Sequence, residues 1–221
     1  MLYIVATPIG NLGDITLRAL ETLKKVDYIL CEDTRNTGLM LANLGINNQA
    51  KLMSFYDEVE EQKIPEIVRL LEIGKEIALV TDAGTPIVSD PGYRLIKKCR
   101  QLSLEVTSIP GPSAVVNALV LSGLPAGRFC FLGFLPKKSG EKKKILENYK
   151  NVDGAKIIYE SPFRLKRLLE EINEVCGEKT QVVVCREMTK KFEEIISGNV
   201  TEVISKLALK EIKGEITLLF Y

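Results

Sequence analysis

The chain contains no histidine. This one absence removes the usual general base, the usual partner of a serine or cysteine nucleophile and the commonest metal ligand. Any chemistry here must need little acid–base help, or take it from carboxylates, Lys, Tyr or a cofactor. The five cysteines, Cys31, Cys99, Cys130, Cys176 and Cys185, are odd in number and dispersed, with no CxxC pair. That spacing excludes a disulfide framework and a structural zinc site, and leaves small buried side chains as the reading. No apolar run approaches the roughly 20 residues needed to cross a bilayer. The opening MLYIVATPIGNLGD has neither a charged leader nor a long apolar stretch, so a cytoplasmic protein is expected. Neither GxGxxG nor GxxxxGK[ST] occurs, which argues against a dinucleotide fingerprint and against phosphoryl transfer on a P-loop.

What is present is ordinary in bulk: 46% hydrophobic and 27% charged residues over 221 positions, enough for one large core or two smaller ones. Charge is unevenly spread. Residues 1–112 hold 12 Lys+Arg against 15 Asp+Glu, and residues 113–221 hold 18 against 14. A polyanion, if one is bound, is therefore expected on the second half.

Short β-branched runs at 2–6, 28–32, 51–55, 76–81 and 104–109 alternate with amphipathic stretches at 15–26, 34–44, 59–71 and 93–102. Strand–helix alternation predicts a mainly parallel sheet covered on both faces. Gly45 and Gly74 stand where helices close on a left-handed residue. After a helix at 114–121, the segment GLPAG (123–127) reads as a linker. The second half offers strands at 128–134, 155–160, 180–188, 192–199 and 214–221, with helices at about 140–150, 162–175 and 200–208. The short link between 188 and 192 predicts an antiparallel hairpin. The expectation is two α/β domains, 1–122 with a mainly parallel sheet and 123–221 with a mixed sheet.

Three Gly- and Pro-rich loops follow strands of the first half, where open α/β sheets bind ligands. They are ATPIGNLGD (6–14), TDAGTPIVSDPG (81–92) and IPGPSA (109–114). Asp14 as a helix cap, and Asp90 as a cap with Pro91 behind it, account for the ends of the first two loops. Capping does not account for DAGTP, whose glycine and proline suit backbone lying against a ligand. PGPSA sets small residues and free N–H groups at a helix start, which favours an anion.

Together with DITLRAL (14–20), CEDTRNTGLMLANLGI (31–46), FCFLGFLPKK (129–138), YESPFRL (159–165) and REMTKKFEE (186–194), these loops resemble the tetrapyrrole methylase superfamily, the class III methyltransferases, along essentially the whole chain. The match is closest to a branch that methylates the ribose 2′-hydroxyl of a cytidine in 16S ribosomal RNA. The resemblance implies S-adenosylmethionine as cofactor, in a cleft between the domains. There it would lie against Pro8, Ile9 and Gly10, against Asp82, Ala83, Gly84, Thr85, Pro86 and Ile87, and against Ser113, Ala114, Phe131 and Leu132. It also implies a homodimer and the small ribosomal subunit as partner. The chain departs from the branch at SFYDEVE (54–60), usually histidine-rich, and at Phe163, usually histidine. An essential role for those histidines does not carry over.

Methyl transfer from a sulfonium is a displacement whose thioether leaving group needs no proton, so positioning supplies much of the rate. A ribose hydroxyl still gains from a base or from a cation beside the developing alkoxide. Candidate bases are Asp33, Glu160, Glu187 and Lys190, with Arg35 and Arg186 as stabilisers. Capping of the next helix explains Asp33 equally, and an ion pair with Arg164 explains Glu160. Lys137, Lys138, Lys142, Lys143, Lys144 and Arg164 are the candidate RNA contacts, joined by Lys166, Arg167, Lys190 and Lys191. Phe134, Tyr159 and Phe163 are the aromatics nearest the motifs, read equally as core or interface. Two rivals remain: C-methylation of a corrin or porphyrin precursor, and a non-catalytic sensor of the cofactor.

Overall fold

Leu2, Ile4 and Val5 are buried on both sides of the first strand, as a strand at the centre of a parallel sheet must be. In the computed structural model, which describes residues 1–47 and 49–221, the chain forms two compact units, Met1–Ser113 and Ala114–Tyr221. The first holds strands β1 (Leu2–Val5), β2 (Tyr28–Cys31), β3 (Lys51–Ser54), β4 (Ile77–Leu79) and β5 (Val106–Ile109). All pair in parallel, in the order β3-β2-β4-β1-β5. The crossover helices are α1 (Leu17–Lys25), α2 (Thr34–Asn43), α3 (Asp57–Glu72) and α4 (Tyr93–Gln101).

Alternation of side chains along each strand divides the core in two. Ile29, Cys31, Ala78 and Val80 pack with Ala19 and Leu23 of α1 and Leu41 of α2. Their neighbours Leu30, Ile77 and Leu79 pack with Ile67 and Leu71 of α3 and Leu95 and Cys99 of α4. Helix α2 closes as the sequence predicts. Gly45 takes φ 67°, its N–H reaches the Ala42 carbonyl, and Ile46 N–H reaches that of Leu41.

Two expected caps are corrected. Asp14 lies in a 3-10 turn, Leu12–Asp14, and α1 is capped by Thr16, whose Oγ1 accepts Ala19 N–H at 3.1 Å. Helix α4 starts after Gly92, at φ 126°, and not after Asp90. Its first N–H groups are satisfied from outside the helix. Glu60 of α3, buried, accepts Arg94 N–H at 3.1 Å and Leu95 N–H at 3.2 Å on one carboxylate oxygen.

The second unit holds α5 (Ala114–Ser122), β6 (Phe129–Phe134), α6 (Ser139–Tyr149), β7 (Ala155–Glu160), α7 (Leu165–Cys176), β8 (Gln181–Arg186), β9 (Glu194–Asn199), α8 (Val200–Leu207) and β10 (Ile216–Phe220). The sheet order is β6-β7-β10-β8-β9. Only β6 and β7 are parallel neighbours; β10 runs antiparallel to β7 and β8, and β8–β9 is the expected hairpin. Leu146 of α6, Leu165, Leu168, Leu169 and Ile172 of α7, and Val200, Val203 and Leu207 of α8 share one core with Ile158, Val184 and Leu218. Helix α5 packs on β10 and β8. That packing ties α5 to this unit, so the division falls at residue 113, ahead of the expected 122.

Candidate functional site

From β1 the chain moves through α1 toward β2, and from β4 it moves through α4 toward β5, so neighbouring strands send their crossovers to opposite faces. The crevice this opens at the carboxyl ends of β1 and β4 is the switch point where doubly wound sheets take ligands. The loops after β1, β4 and β5 are stitched together there. Thr7 N–H donates to the Gly84 carbonyl at 2.8 Å, and Gly84 N–H returns to Thr7 at 3.1 Å. The Thr7 hydroxyl donates to the Thr81 carbonyl at 3.0 Å, and that of Thr85 to the Pro112 carbonyl at 2.9 Å.

Of the expected cofactor residues, Pro8, Ile9, Gly10, the run 82–87 and Ser113 therefore converge on one edge of the first unit. Pro8, Ile9, Gly84 and Pro86 are buried beneath exposed Gly10, Asp82 and Ala83. Gly84 sits at φ 90°, and a Cβ on it would lie 3.3 Å from Ile9 Cγ2. Ile87 and Ser89 hold φ of 78° and 72° without being glycine. A β-branched residue in that region carries strain on the order of 1–3 kcal/mol, a feature that concentrates at ligand sites. Ala114 opens α5, and Phe131 and Leu132 lie half-buried in β6, all in the second unit.

The edge of the first unit is acidic. Thr81 Oγ1 donates to Glu32 at 2.5 Å, and Asn36 Nδ2 to Asp82 at 2.8 Å. Among the described residues, Glu32, Asp82 and Asp90 belong to no ion pair. Burial pushes the Asp90 carboxyl up to about 6 against the opposing hydrogen bond from Thr81, and Glu32, Asp57 and Asp82 add to the rise. The sequence alone offers Asp90 only a capping role; the Pro91-Gly92 that follows it is the available signal.

Asp33 and Arg35 stand on the same unit, where Asp33 caps α2 by accepting Arg35 N–H at 2.8 Å and pairs with the Arg35 side chain at 2.6 Å. The Arg35 guanidinium holds the Asp33 carboxyl down at about 2, too low for a useful base near neutral pH.

The other four catalytic candidates share an edge of the second unit. Strands β6, β7 and β8 point the same way, and the register sets Phe134 beside Tyr159, and Glu160 and Arg186 either side of Ile216. The motifs FLPKK, YESPFR and REMTKK thus meet at one sheet end, where the four catalytic candidates are each engaged in an ion pair. Glu160, its side chain fully buried, receives Arg164 Nε at 2.6 Å and Ser161 N–H at 2.7 Å. Its second oxygen has no hydrogen-bond partner among the described residues. Arg186 pairs with Glu194 at 3.2 Å, and Lys190 with Glu187 at 3.1 Å and Glu215 at 3.0 Å. The Glu215 backbone N–H, followed by Lys190, holds Glu187 below the usual carboxylate range. Burial acts to lower Lys190, but Glu215 and Glu187 outweigh it and keep the ammonium charged. Neither group is set up to take a proton.

Of the basic residues, Lys137, Lys138 and Lys144 are exposed, and Lys143 pairs with Glu174 at 2.6 Å. Lys142 is corrected. It is buried under α7 against Glu171, and no phosphate reaches it.

The model of the tetrapyrrole (corrin/porphyrin) methylases matches residues 1–204. The ribosomal RNA small subunit methyltransferase I of Escherichia coli O157:H7 is 47% identical over 220 residues, 99% of this chain and 76% of that one. The protein of the same name from Thermotoga maritima is 44% identical over 217 residues, covering 98% and 96%. Among solved structures, the methyltransferase CobJ superposes with TM-score 0.74 at 18% identity, covering 99% of this chain and 92% of that one. Uroporphyrin III C-methyl transferase from Thermus thermophilus does so with TM-score 0.68 at 16%, covering 99% and 96%. These two likenesses bear on the fold, which agrees with the stitched loops and the parallel and mixed sheets above. The chain belongs to the tetrapyrrole methylase family, among the relatives of ribosomal RNA small subunit methyltransferase I.

Proposed function

We propose that the protein is an S-adenosylmethionine-dependent methyltransferase that modifies the ribose 2′-hydroxyl of a cytidine in 16S RNA of the small ribosomal subunit, working in the cytoplasm as a homodimer. The observation that carries the substrate is the 44–47% identity, across 98–99% of the chain, to proteins named for small-subunit RNA methylation. Likeness to the enzyme named for uroporphyrin III is 16% identical and bears on the fold alone. A corrin or porphyrin substrate is therefore the second reading.

The residues at the switch point suit the cofactor. Gly84 leaves space no side chain could leave without pressing on Ile9, and Glu32, Asp82 and Asp90 offer carboxylates without a cation of their own to a ligand with an amine and a sulfonium. When bound, the cofactor supplies a methyl group on positively charged sulfur. Pro8, Ile9, Gly84 and Pro86 provide a stiff floor, the exposed backbone of Gly10 and Ala83 provides donors and acceptors, and Thr7 and Thr85 hold the three loops in register. With Asp33 ionised down to about 2, Asp90 is the carboxyl whose affinity for a proton approaches that of a base or acid working near neutral pH.

The test is incubation with labelled S-adenosylmethionine and small subunits lacking 2′-O-methylation, followed by nuclease digestion and mass spectrometry. Label on one ribose 2′-oxygen of 16S RNA is expected. Label on uroporphyrinogen but never on RNA overturns the substrate, and no transfer to either overturns the enzyme.

A further inference from the structure

The second unit exposes three of the chain's seven phenylalanines at the sheet end described above: Phe163 at 94%, Phe192 at 64% and Phe134 at 60%. Rings left in water forgo the gain of burial, so exposed rings gathered on one edge call for a partner. Their placement follows from the register. Phe134 ends β6 beside Tyr159 of β7, Phe163 sits in the turn after Glu160, and Phe192 lies two residues before Glu194, which pairs with Arg186. From β6 to β9 is four strand spacings, about 19 Å. At about 3.4 Å per stacked nucleotide, that length spans roughly five to six nucleotides.

The rings do not form one apolar patch. Each stands beside a cation: Phe163 beside Arg164, Phe192 beside Lys190 and Lys191, and Phe134 three residues before Lys137. Lys191 Nζ lies 5.7 Å from the Phe192 ring centre. The carboxylates Glu160, Glu187 and Glu194 are each taken up by a cation, and Glu193 accepts Thr189 N–H, whereas Lys137 and Lys191 make no ion pair among the described residues. A contiguous apolar core would fit a second copy of the chain. Separate rings interleaved with cations, of which Lys137 and Lys191 are unpaired among the described residues, fit bases that stack while their phosphates pass between.

We propose that Phe163 and Phe192, with Phe134 at the far end, form a stacking platform that holds the single-stranded RNA substrate. This rests on the RNA substrate proposed above and adds the residues that present it. The platform reads π-faces, so it tolerates sequence and selects for unpaired bases.

The chain has no tryptophan, so Phe163→Trp and Phe192→Trp each install a lone fluorophore in an otherwise intact protein. Titration with a single-stranded pyrimidine decaribonucleotide is expected to quench both, and the same sequence annealed to its complement is expected to quench neither. In methyl transfer to small subunits, Phe163→Ala and Phe192→Ala are expected to raise KM for the RNA about 5- to 150-fold each, leaving KM for S-adenosylmethionine unchanged. Phe163→Trp is expected to restore it. Absence of quenching with unchanged KM for RNA overturns the platform while leaving the methyltransferase reading in place. A change of oligomeric state in the alanine variants by sedimentation also overturns it, because the rings would then be covered by a second copy. Quenching of the Phe163→Trp and Phe192→Trp proteins by the decamer, with no label transferred to RNA by the wild type, separates failure of the enzymatic reading from failure of the platform.

Discussion

Lys142 Nζ lies 2.7 Å from Glu171 Oε2, with 2% and 5% of the two side chains exposed. Ser139 Oγ donates to the other carboxylate oxygen at 2.6 Å, and Arg167 reaches it at 3.4 Å from the rim. The pair joins α6 to α7 and belongs to the interior. Removing one partner strands a buried charge, so Lys142→Ala is expected to cost about 3–5 kcal/mol in denaturant unfolding. Joint replacement, Lys142→Met with Glu171→Leu, is expected to recover most of that loss. Affinity for RNA at matched folded fraction should keep its salt dependence in both, while Lys137→Ala should lower the slope of log K against log salt by about one. A shallower slope in the double variant would return Lys142 to the RNA surface.

Asp90 gives a pH signature. Its folded value, about 6, stands above the ordinary 3.8. Below 3.8 both folded and unfolded chains hold the proton and burial costs nothing extra. As pH rises from 3.8 through 6 the unfolded chain gives the proton up first, stability falls, and the loss is complete above 6. Asp90→Asn keeps the shape without the charge. Its melting temperature is expected to exceed that of the wild type by roughly 2–6 °C at pH 7.5, with the gap narrowing steadily toward pH 4. A gap independent of pH would mean that the carboxyl is not held protonated by the fold.

Gly84 ties the loop after β4 to that after β1 through its bonds with Thr7. At φ 90°, with Ile9 Cγ2 3.3 Å from where a Cβ would stand, Gly84→Ala meets both backbone strain and a crowded neighbour. The expected cost is about 1–2 kcal/mol of stability. Affinity for S-adenosylmethionine is expected to fall at least about tenfold by calorimetry. Affinity equal to wild type would remove the loop from the cofactor site.

The elements that were legible in the sequence are those written by periodicity. Ile29–Leu30 and Ala78–Leu79 face opposite layers, and such continuous apolar runs mark buried parallel strands. Gly45 and Gly74 named their helix ends because few other residues take that conformation. Pairings between distant residues left no such trace. Nothing local to Lys142 says that Glu171, eight turns of sequence away by helix count, removes it from a run of surface lysines, and nothing near Glu60 says that it completes α4. The candidate site divides along the same line. The three loops were visible from their glycines and prolines, whereas the raised Asp90 and the pairing of Lys190 with Glu215 depend on which neighbours folding supplies. Phe163 was legible as an aromatic, but its near-complete exposure required the turn after β7.

Glu60 tests whether the wall under the β4 loop matters to ligand binding. Its carboxylate accepts Arg94 and Leu95 N–H and lies 3.6 Å from the Arg94 guanidinium. Gly92, just before these donors, is packed so closely that a Cβ would come within 2.6 Å of Leu79 Cδ2, so the start of α4 cannot shift to find a new partner. Glu60→Ala leaves two helix N–H groups without an acceptor and is expected to cost about 2–3 kcal/mol. Glu60→Gln keeps an acceptor oxygen at the same reach and is expected to recover at least half. Because α4 anchors the far end of the loop 80–92, hydrogen exchange in that loop should quicken in Glu60→Ala, and cofactor affinity should fall with it. Unchanged exchange across 80–92 together with a full loss of stability would make Glu60 a prop of the helix alone, with no bearing on the ligand edge.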